Sequence, residues 1–421
     1  MLRFILKTIW NNRRNNILVL LELIVIAIVS WAVIDPIFVL KYNQSIPDGF
    51  DAEGLYELEL ETVPDTTSTT LVEDFYRLMK KLRNHNEIES ATYIPSGVYP
   101  CSTSDNRNNL SYKDSTQIRV SFMYFFPNND TFKTWRFRSA KDGTWETLEN
   151  LQLNANSNIL TSDIASVLSP DQDLTGKYIY TEDSTALHIA GLMQPVKMKN
   201  SIQPYFLRLV PIYKQIPEAS IPYFIHIFFR TKPGISEDAF MNRFPDWAND
   251  NLISGNLFAK NVIPFHKIRS NSDLNTGAES EIKIKYGLAY FFMINLLLAI
   301  SGTFWWRTRS RKEEIGIHMA YGASSSQIRL LLIGEAFLLV TIAVIIGCSI
   351  YLQWILYDGL YTFNNGAPTD GFKYVSNQFL PHFLIVSGIV YVIMLVVTWL
   401  GVYIPAYNAS RIPIVNALKD E

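Results

Sequence analysis

Four long apolar runs constrain the fold of this chain more than any other feature of its sequence. They occupy residues 17–40, 286–306, 330–356 and 383–404, and polar segments separate them. Each run has about 20 residues or more, which is the length of α-helix that crosses the hydrocarbon core of a bilayer. We therefore expect an integral membrane α-helical protein with four transmembrane helices.

The first and second runs are separated by a long polar stretch, residues 41–282. Because 48% of the 421 residues are hydrophobic and the mean hydropathy is only +0.08, the apolar runs must accompany a large soluble domain. Within that domain, strand-like alternation and helix-like spacing predict β-α-β units near 54–95 and 222–262, the second with one helix over 236–248. A β-rich lobe is predicted at about 103–200. This pattern favours an α+β fold.

The segments beside the apolar runs add detail to this architecture. Apolar residues at helical spacing among basic ones in 1–16 predict an amphipathic helix on the cytoplasmic membrane surface. A helix over 279–306 has about 28 residues and is roughly 42 Å long. It exceeds the bilayer core, so 283–306 should form the end of a stalk as well as the second span. Pro405 is expected to end the fourth span.

Basic residues near the spans predict the orientation of the chain. Arg13 and Arg14 precede the first span, and Arg307, Arg309, Arg311 and Lys312 follow the second, whereas the 357–382 loop carries only Lys373. The N-terminus, the 307–329 loop and the 405–421 tail should therefore be cytoplasmic. The 41–282 domain and the 357–382 loop should lie outside.

The polar island at 311–327 has the pattern of a short helix, a bend and a new helix. Ile315 and Met319 share one face of the predicted helix, and Gly322 suits the left-handed position that ends it. Ser324 and Gln327 form a capping-box pattern that would start the next helix. A basic loop between two spans can also be only a topology signal, and charge alone does not separate the two interpretations.

The order of residues in this island resembles the E-I-G-I-R-x-A-x-G-A-S signature of FtsX/MacB-type ABC transporter permeases. Glu314-Ile315-Gly316-Ile317, Ala320 and Gly322-Ala323-Ser324 carry the match, and His318 stands where that family often has a basic residue. The tail from Pro405 to Lys419 resembles the family's closing P-A-x-x-A-x-x-x-x-P-x-x-A-L-[RK] pattern. Residues 158–178 resemble a segment of the MacB periplasmic domain.

The resemblance implies a type VII ABC permease, which is a dimer of four-span subunits driven by separate ATPase subunits. ATP and magnesium would then be bound by the partner ATPase. A second permease chain, identical or not, and the lipid bilayer are further implied partners, and a periplasmic adaptor or outer-membrane protein is left open. The residues that would couple to the ATPase are Glu314, Ile315, Gly316, Ile317, Met319, Ala320, Gly322, Ala323 and Ser324.

The sequence contains no motif that predicts catalysis. The G-x-x-x-x-G-K-[ST] pattern that cradles nucleotide phosphates is absent, and so are H-E-x-x-H and G-x-S-x-G. The six histidines show no ligand spacing, so we expect neither a metal nor a cofactor in this chain. A net charge of −2 gives no indication of nucleic-acid binding.

Three functions agree with this reading. The first is ATP-driven export of a drug, peptide or lipoprotein by a MacB-type permease of the bacterial inner membrane, which the large size of the outer domain favours. The second is FtsX-like mechanotransmission to a cell-wall hydrolase or sensor. The third is a membrane receptor without an ATPase, which a neighbouring gene for a Walker-type ATPase would exclude.

Overall fold

The computed structural model describes residues 13–63, 71–95, 97–113, 117–221, 223–358 and 374–411. Within these residues the chain divides into two compact units. One unit, called the membrane unit here, contains the described residues up to Lys41 and those from Ser280 onward. The other, called the soluble domain, is Tyr42–Glu279.

The secondary structure follows in chain order. The described helices are α1 Arg13–Ser45, α2 Leu71–Arg83, α3 Thr131–Trp135, α4 Glu146–Glu149, α5 Ser162–Leu168, α6 Glu237–Met241, α7 Phe244–Asn251, α8 Phe265–Asn275, α9 Ala278–Ser310, α10 Lys312–Ala320, α11 Ser325–Asp358 and α12 Tyr374–Ala409. The described strands are β1 Leu55–Thr62, β2 Ile88–Pro95, β3 Arg107–Ser111, β4 Ile118–Phe125, β5 Ser157–Thr161, β6 Tyr178–Thr181, β7 Ala186–Met193, β8 Leu207–Pro211, β9 Ile225–Thr231, β10 Ile253–Ser254 and β11 Leu257–Pro264.

Four helices of the membrane unit are long and apolar enough to cross a bilayer: α1, α9, α11 and α12. Together with the α+β domain between α1 and α9, they confirm the predicted fold class. Each helix is longer than the apolar run that predicted it, because polar residues at its ends continue the helical hydrogen bonding. The predicted spans 17–40 and 330–356, for example, lie within α1 and α11.

The prediction that Pro405 ends the fourth span is wrong, because α12 continues through Pro381 and Pro405 to Ala409. Proline removes one backbone donor, and its ring presses on the backbone carbonyl of the residue four positions earlier. In a membrane helix the surrounding helices help to tolerate the lost hydrogen bond.

Some predicted segments lie partly outside the described residues. Of the predicted amphipathic helix 1–16, only 13–16 are described, and these belong to α1. Residues 359–373 of the predicted outer loop and 412–421 of the predicted tail are also outside. The described residues of the predicted 357–382 loop are helical, because α11 extends to Asp358 and α12 begins at Tyr374.

A five-stranded antiparallel sheet forms one half of the soluble domain, with the strand order β10-β11-β1-β9-β2. Strand β9 lies between β1 and β2, so the two predicted β-α-β units interleave in a single sheet. Apolar side chains of β1 and β9 pack with those of α2, α6 and α7. Tyr56 and Phe229, for example, stack with ring centroids 5.3 Å apart.

The single helix predicted over 236–248 is two helices, α6 and α7. Ser236 caps α6 by accepting a hydrogen bond from the Ala239 backbone N–H at 3.3 Å. Pro245, near the start of α7, has no backbone N–H to continue the first helix, so the chain must begin a new one.

The other half of the soluble domain is a closed barrel with the strand order β3-β4-β8-β5-β7-β6. This barrel corresponds to the predicted β-rich lobe but extends to Pro211, beyond the predicted limit of 200. Its interior is filled by apolar residues that include Val120, Leu160 and Phe206. A second apolar cluster joins the barrel to the sheet, with Leu207 and Phe228 among its members.

Candidate functional site

The α10 helix has the ends that its sequence predicts. Its C-terminal backbone forms a Schellman motif, in which the Ala323 N–H donates to the His318 carbonyl and the Gly322 N–H donates to the Met319 carbonyl, both at 3.0 Å. Gly322 has a φ of +93°, in the left-handed region that glycine adopts without steric cost. The helix therefore ends in a sharp bend at a fixed position.

The capping box that begins α11 is present. The Ser324 backbone N–H donates to Gln327 Oε1 at 2.8 Å, and the Gln327 N–H donates to Ser324 Oγ at 3.3 Å. These two bonds satisfy backbone donors that would otherwise lack partners at the start of the helix. The geometry between α10 and α11 is thus defined by backbone hydrogen bonds on both sides of Gly322.

One face of α10 packs on the membrane helices. Ile315 is only 4% exposed and belongs to the same apolar cluster as Phe304 of α9 and Leu332 of α11, and Met319 packs against that cluster. These positions correct the expectation that Ile315 and Met319 face a partner protein. The sequence placed them on one face correctly, but it could not show that the chain's own membrane helices cover that face.

The opposite face of α10 is exposed. Ile317 is 47% exposed and Tyr321, just after the helix, is 89% exposed. They are four residues apart and so lie on the same side of the helix. Ala320 and Glu313 are exposed as well. The face that remains available to a partner is therefore formed by Glu313, Ile317, Ala320 and Tyr321, and we call it the outward face.

A buried carboxylate attaches α10 to the membrane helices. Glu335 of α11 is 1% exposed, and its Oε2 accepts hydrogen bonds from Arg311 at 2.7 Å and from Arg307 of α9 at 3.2 Å. Arg311 also makes a bidentate pair with Glu314 of α10, at 2.6 and 2.8 Å. Three consecutive helices therefore meet in one charge cluster, made of Arg307, Arg311, Glu314 and Glu335.

The charges in this cluster stabilise one another. The hydrogen bond from Arg311 lowers the pKa of Glu314 despite its partial burial. Burial acts to lower the pKa of Arg311, but its bonds to Glu314 and the nearby Glu335 charge outweigh burial and raise it. Both groups are thus ionised at neutral pH. Arg307 Nη1 and Glu335 Oε1 are buried without a hydrogen bond among the described residues.

Sequence reasoning missed the role of Glu335, although two signals pointed to it. A carboxylate inside an apolar run is a candidate for function, and Arg307 and Arg311 lie four residues apart, on one helical face. Asp35 of α1 was also missed. It pairs with His382 of α12 at 2.5 Å, and both side chains are buried. This second polar contact joins the first and last membrane helices.

Nothing in the described part of the chain indicates a metal or catalytic centre. No group of three or more His, Cys, Asp or Glu side chains there could hold a metal ion. Cys101 and Cys348 are free and buried. The candidate functional site considered below is the outward face of α10.

These features define a multi-pass membrane protein with a short helix fixed between its second and third spans. Residues 286–414 match the family model described as FtsX-like permease C-terminal. The match begins near the start of the apolar part of α9 and includes α10, α11 and α12. The membrane region of this chain is therefore similar to that of FtsX-like permeases, in agreement with the resemblance of its 311–327 segment.

No curated protein matches the sequence. Three of the solved structures that are similar to the chain each match about half of its length. A domain of a Porphyromonas gingivalis protein described as a permease is 13% identical with a TM-score of 0.33, over 52% of this chain and 93% of that one. The extracellular domain of the noncanonic ABC-type transporter YknZ from Gram-positive bacteria is 10% identical with a TM-score of 0.30, over 49% and 100%. The periplasmic region of MacB from Actinobacillus actinomycetemcomitans is 8% identical with a TM-score of 0.32, over 53% and 94%.

Proposed function

We propose that this chain is the permease subunit of a MacB/FtsX-type ABC transporter, and that α10 docks on a separate ATPase subunit. The observation that carries the proposal is the division of α10 into two faces. One face is packed and ion-paired within the membrane unit, and the other presents Ile317 and Tyr321 to solvent. A helix held on one side and apolar on the other is suited to receive force from a partner.

The docking contact would centre on the outward face. An exposed isoleucine and an exposed tyrosine can fill a groove on the partner, since aromatic and apolar anchors contribute most to such contacts. Gly322 would allow close approach of the partner at the bend, because a Cβ built there meets no atom within 4 Å. Glu314, Ala323 and Ser324 would support this surface by fixing the helix and its exit.

Transmission from α10 to the other helices would pass through Glu335. Arg311 is the N-cap residue directly before α10, Arg307 lies on α9, and both bind the same carboxylate oxygen. A displacement of α10 therefore perturbs α9 and α11 together. Because α9 is one helix of 33 residues, the displacement would reach its far end at Ala278. ATP and magnesium would act on the partner ATPase, and a second permease chain would complete a dimer.

The proposed location is the bacterial inner membrane, with both termini and α10 on the cytoplasmic side and the soluble domain outside. The basic residues at the start of α1 and at the end of α9 support this orientation. The proposed task is export of a drug, peptide or lipoprotein, which the large soluble domain favours.

The test is copurification of the tagged permease from its native membrane, with mass spectrometry to identify a chain that contains G-x-x-x-x-G-K-[ST]. Ile317→Asp should lose this ATPase, because docking would bury an unpaired charge at a cost of several kcal/mol. Gly322→Val should lose it too, because a β-branched residue is strained at positive φ. The wild type should retain it.

Ile253→Asp is the matched control, because Ile253 is also 47% exposed but lies in the soluble domain. It should retain the ATPase at the wild-type level. If both α10 variants also retain it while remaining in the membrane, the loop is only a topology signal. If the wild type brings down no Walker-type ATPase, the receptor alternative gains the support that the transporter loses.

A further inference from the structure

One end of the barrel in the soluble domain carries a buried arginine. Side chains along β8 alternate between two sides, and Leu207 and Leu209 point into the cluster that joins the barrel to the sheet. The side chain of Arg208 therefore points to the opposite side of the strand. Phe206, two residues earlier, packs in the barrel interior on that same side. Phe122 of β4 is opposite Arg208 in the strand pairing. Arg208 and Phe122 each follow an interior residue, Phe206 and Val120, by two positions along parallel strands, so we assign both to one end of the barrel, called its mouth here.

The Arg208 side chain is held in place but is not fully hydrogen-bonded. The residue is 7% exposed, and its Nη1 donates to Asn158 Oδ1 at 3.0 Å. Its guanidinium carbon lies 5.0 Å from the centroid of the Phe122 ring. Its Nε is buried and makes no hydrogen bond to the described protein. A strong donor at this position therefore lacks an acceptor.

Other buried cations of the soluble domain differ from Arg208 in having a carboxylate. Arg230 lies 3.3 Å from Asp51 and Lys197 lies 4.0 Å from Asp48, and even the partly exposed Arg269 lies 2.5 Å from Asp48. Among the described residues, no carboxylate lies within 4.0 Å of Arg208, and Asn158 and Phe122 are uncharged neighbours. A buried charge without a counter-charge is costly, so its presence calls for an anion.

Arg208 remains protonated in spite of its burial. Burial lowers the pKa of Arg208 to about 10, and the neighbouring Tyr124 hydroxyl opposes the shift. A pKa near this value leaves the guanidinium charged at neutral pH. Tyr124 and Phe122 are half-buried, with ring centroids 5.3 Å apart, so the charged group is bordered by two aromatic rings at its edge.

We propose that the mouth of this barrel is a binding site for a ligand that carries a carboxylate or phosphate group, with Arg208 as its charge partner. The guanidinium group would donate a charge-assisted hydrogen bond to such a ligand, the kind of contact that carboxylates and phosphates favour. The Phe122 and Tyr124 rings would contact the less polar part of the ligand. Barrel mouths commonly bind ligands in this manner, with few polar groups and an aromatic lining.

The test is equilibrium dialysis of the full-length protein in a nonionic detergent against radiolabelled inorganic phosphate and, separately, radiolabelled N-acetylalanine. Sodium chloride maintains the ionic strength, since screening weakens any exposed charge contact. We expect the wild type to retain at least one of the two probes. Retention of phosphate alone would assign the site to phosphate-bearing ligands, and retention of N-acetylalanine alone to carboxylates.

Two variants and one control decide whether Arg208 is responsible. Arg208→Gln should weaken retention at least about tenfold, because charge-assisted hydrogen bonds are lost. Asn158→Asp keeps Arg208 and supplies the missing carboxylate from within the chain, so it should weaken retention similarly in a folded protein. Arg119→Gln removes an exposed charge from β4 and should leave retention unchanged. Failure of the wild type to retain either probe, or unaltered retention by Asn158→Asp, would overturn the proposal.

Discussion

Removal of the Glu335 carboxylate should release α10 from the membrane helices. In the wild type, one oxygen of this side chain binds Arg311 and Arg307, and the three side chains are 1%, 13% and 9% exposed. Glu335→Gln leaves two nearly buried guanidinium groups without their shared counter-charge. Breaking a buried pair from one side costs about 3–5 kcal/mol. We take about 3 kcal/mol here, because Arg311 keeps its pair with Glu314.

The assay measures local opening of α10 rather than global unfolding. A cysteine at Ile315, which is 4% exposed, is placed in a background with Cys101→Ala and Cys348→Ala, and its alkylation rate is followed. When opening is fast relative to alkylation, the rate is proportional to the population of the open state. A loss of about 3 kcal/mol should then accelerate alkylation about a hundredfold.

Glu314→Gln is the matched control, because it makes the same chemical change on another partner of Arg311. Its side chain is 41% exposed, and exposed pairs contribute about 0–1 kcal/mol, so alkylation should accelerate no more than about fivefold. Equal acceleration by the two variants would refute the reasoning, since burial of the Glu335 pair would then have no energetic consequence.

Three further predictions concern other parts of the chain. Replacement of Lys283 or Lys285 by proline costs about 3 kcal/mol in a helix interior. It should leave ATPase copurification intact but uncouple ATP hydrolysis from transport. Unchanged transport would show that α9 carries no motion. Burial raises the pKa of the Cys101 thiol to about 12, so Cys101 should resist iodoacetamide at pH 8 in the native protein and react only after unfolding, as followed by mass spectrometry. A cysteine in the soluble domain should react with a membrane-impermeant reagent on intact cells, and Ser324→Cys should not; the reverse pattern would invert the proposed orientation.

Features that depend on near neighbours in the chain could be predicted from the sequence. Gly322 and the Ser324–Gln327 capping box are examples, because helix ends are defined by hydrogen bonds between residues three to five apart. The four membrane helices could be predicted for a similar reason, since apolar length alone decides whether a helix can cross a bilayer.

Features that depend on distant parts of the chain could not be predicted. Arg307 and Arg311 meet Glu335 only because α11 folds back on α9, and no local pattern gives that register. The position of β9 between β1 and β2 pairs residues that are far apart in the chain, such as Tyr56 and Phe229, which are 173 positions apart. The packing of α10 on the membrane helices likewise depends on residues that are distant in the sequence. The sequence placed Ile315 on the correct face of α10, but it did not show that this face packs on the chain's own membrane helices.

Three acidic side chains in the membrane helices make contacts between helices. Glu22 of α1 accepts a hydrogen bond from Thr303 of α9 at 3.4 Å, Asp35 of α1 pairs with His382 of α12, and Glu335 holds α9 beside α11. Lipid provides little hydrophobic drive for helices to associate, so such contacts and close packing determine which helices move together. In the proposed mechanism α10 is fixed by Glu335, and α9 is linked to α1 by Thr303. A force applied at Ile317 would therefore displace α9, α11 and α1 as a connected group rather than bend α10 alone.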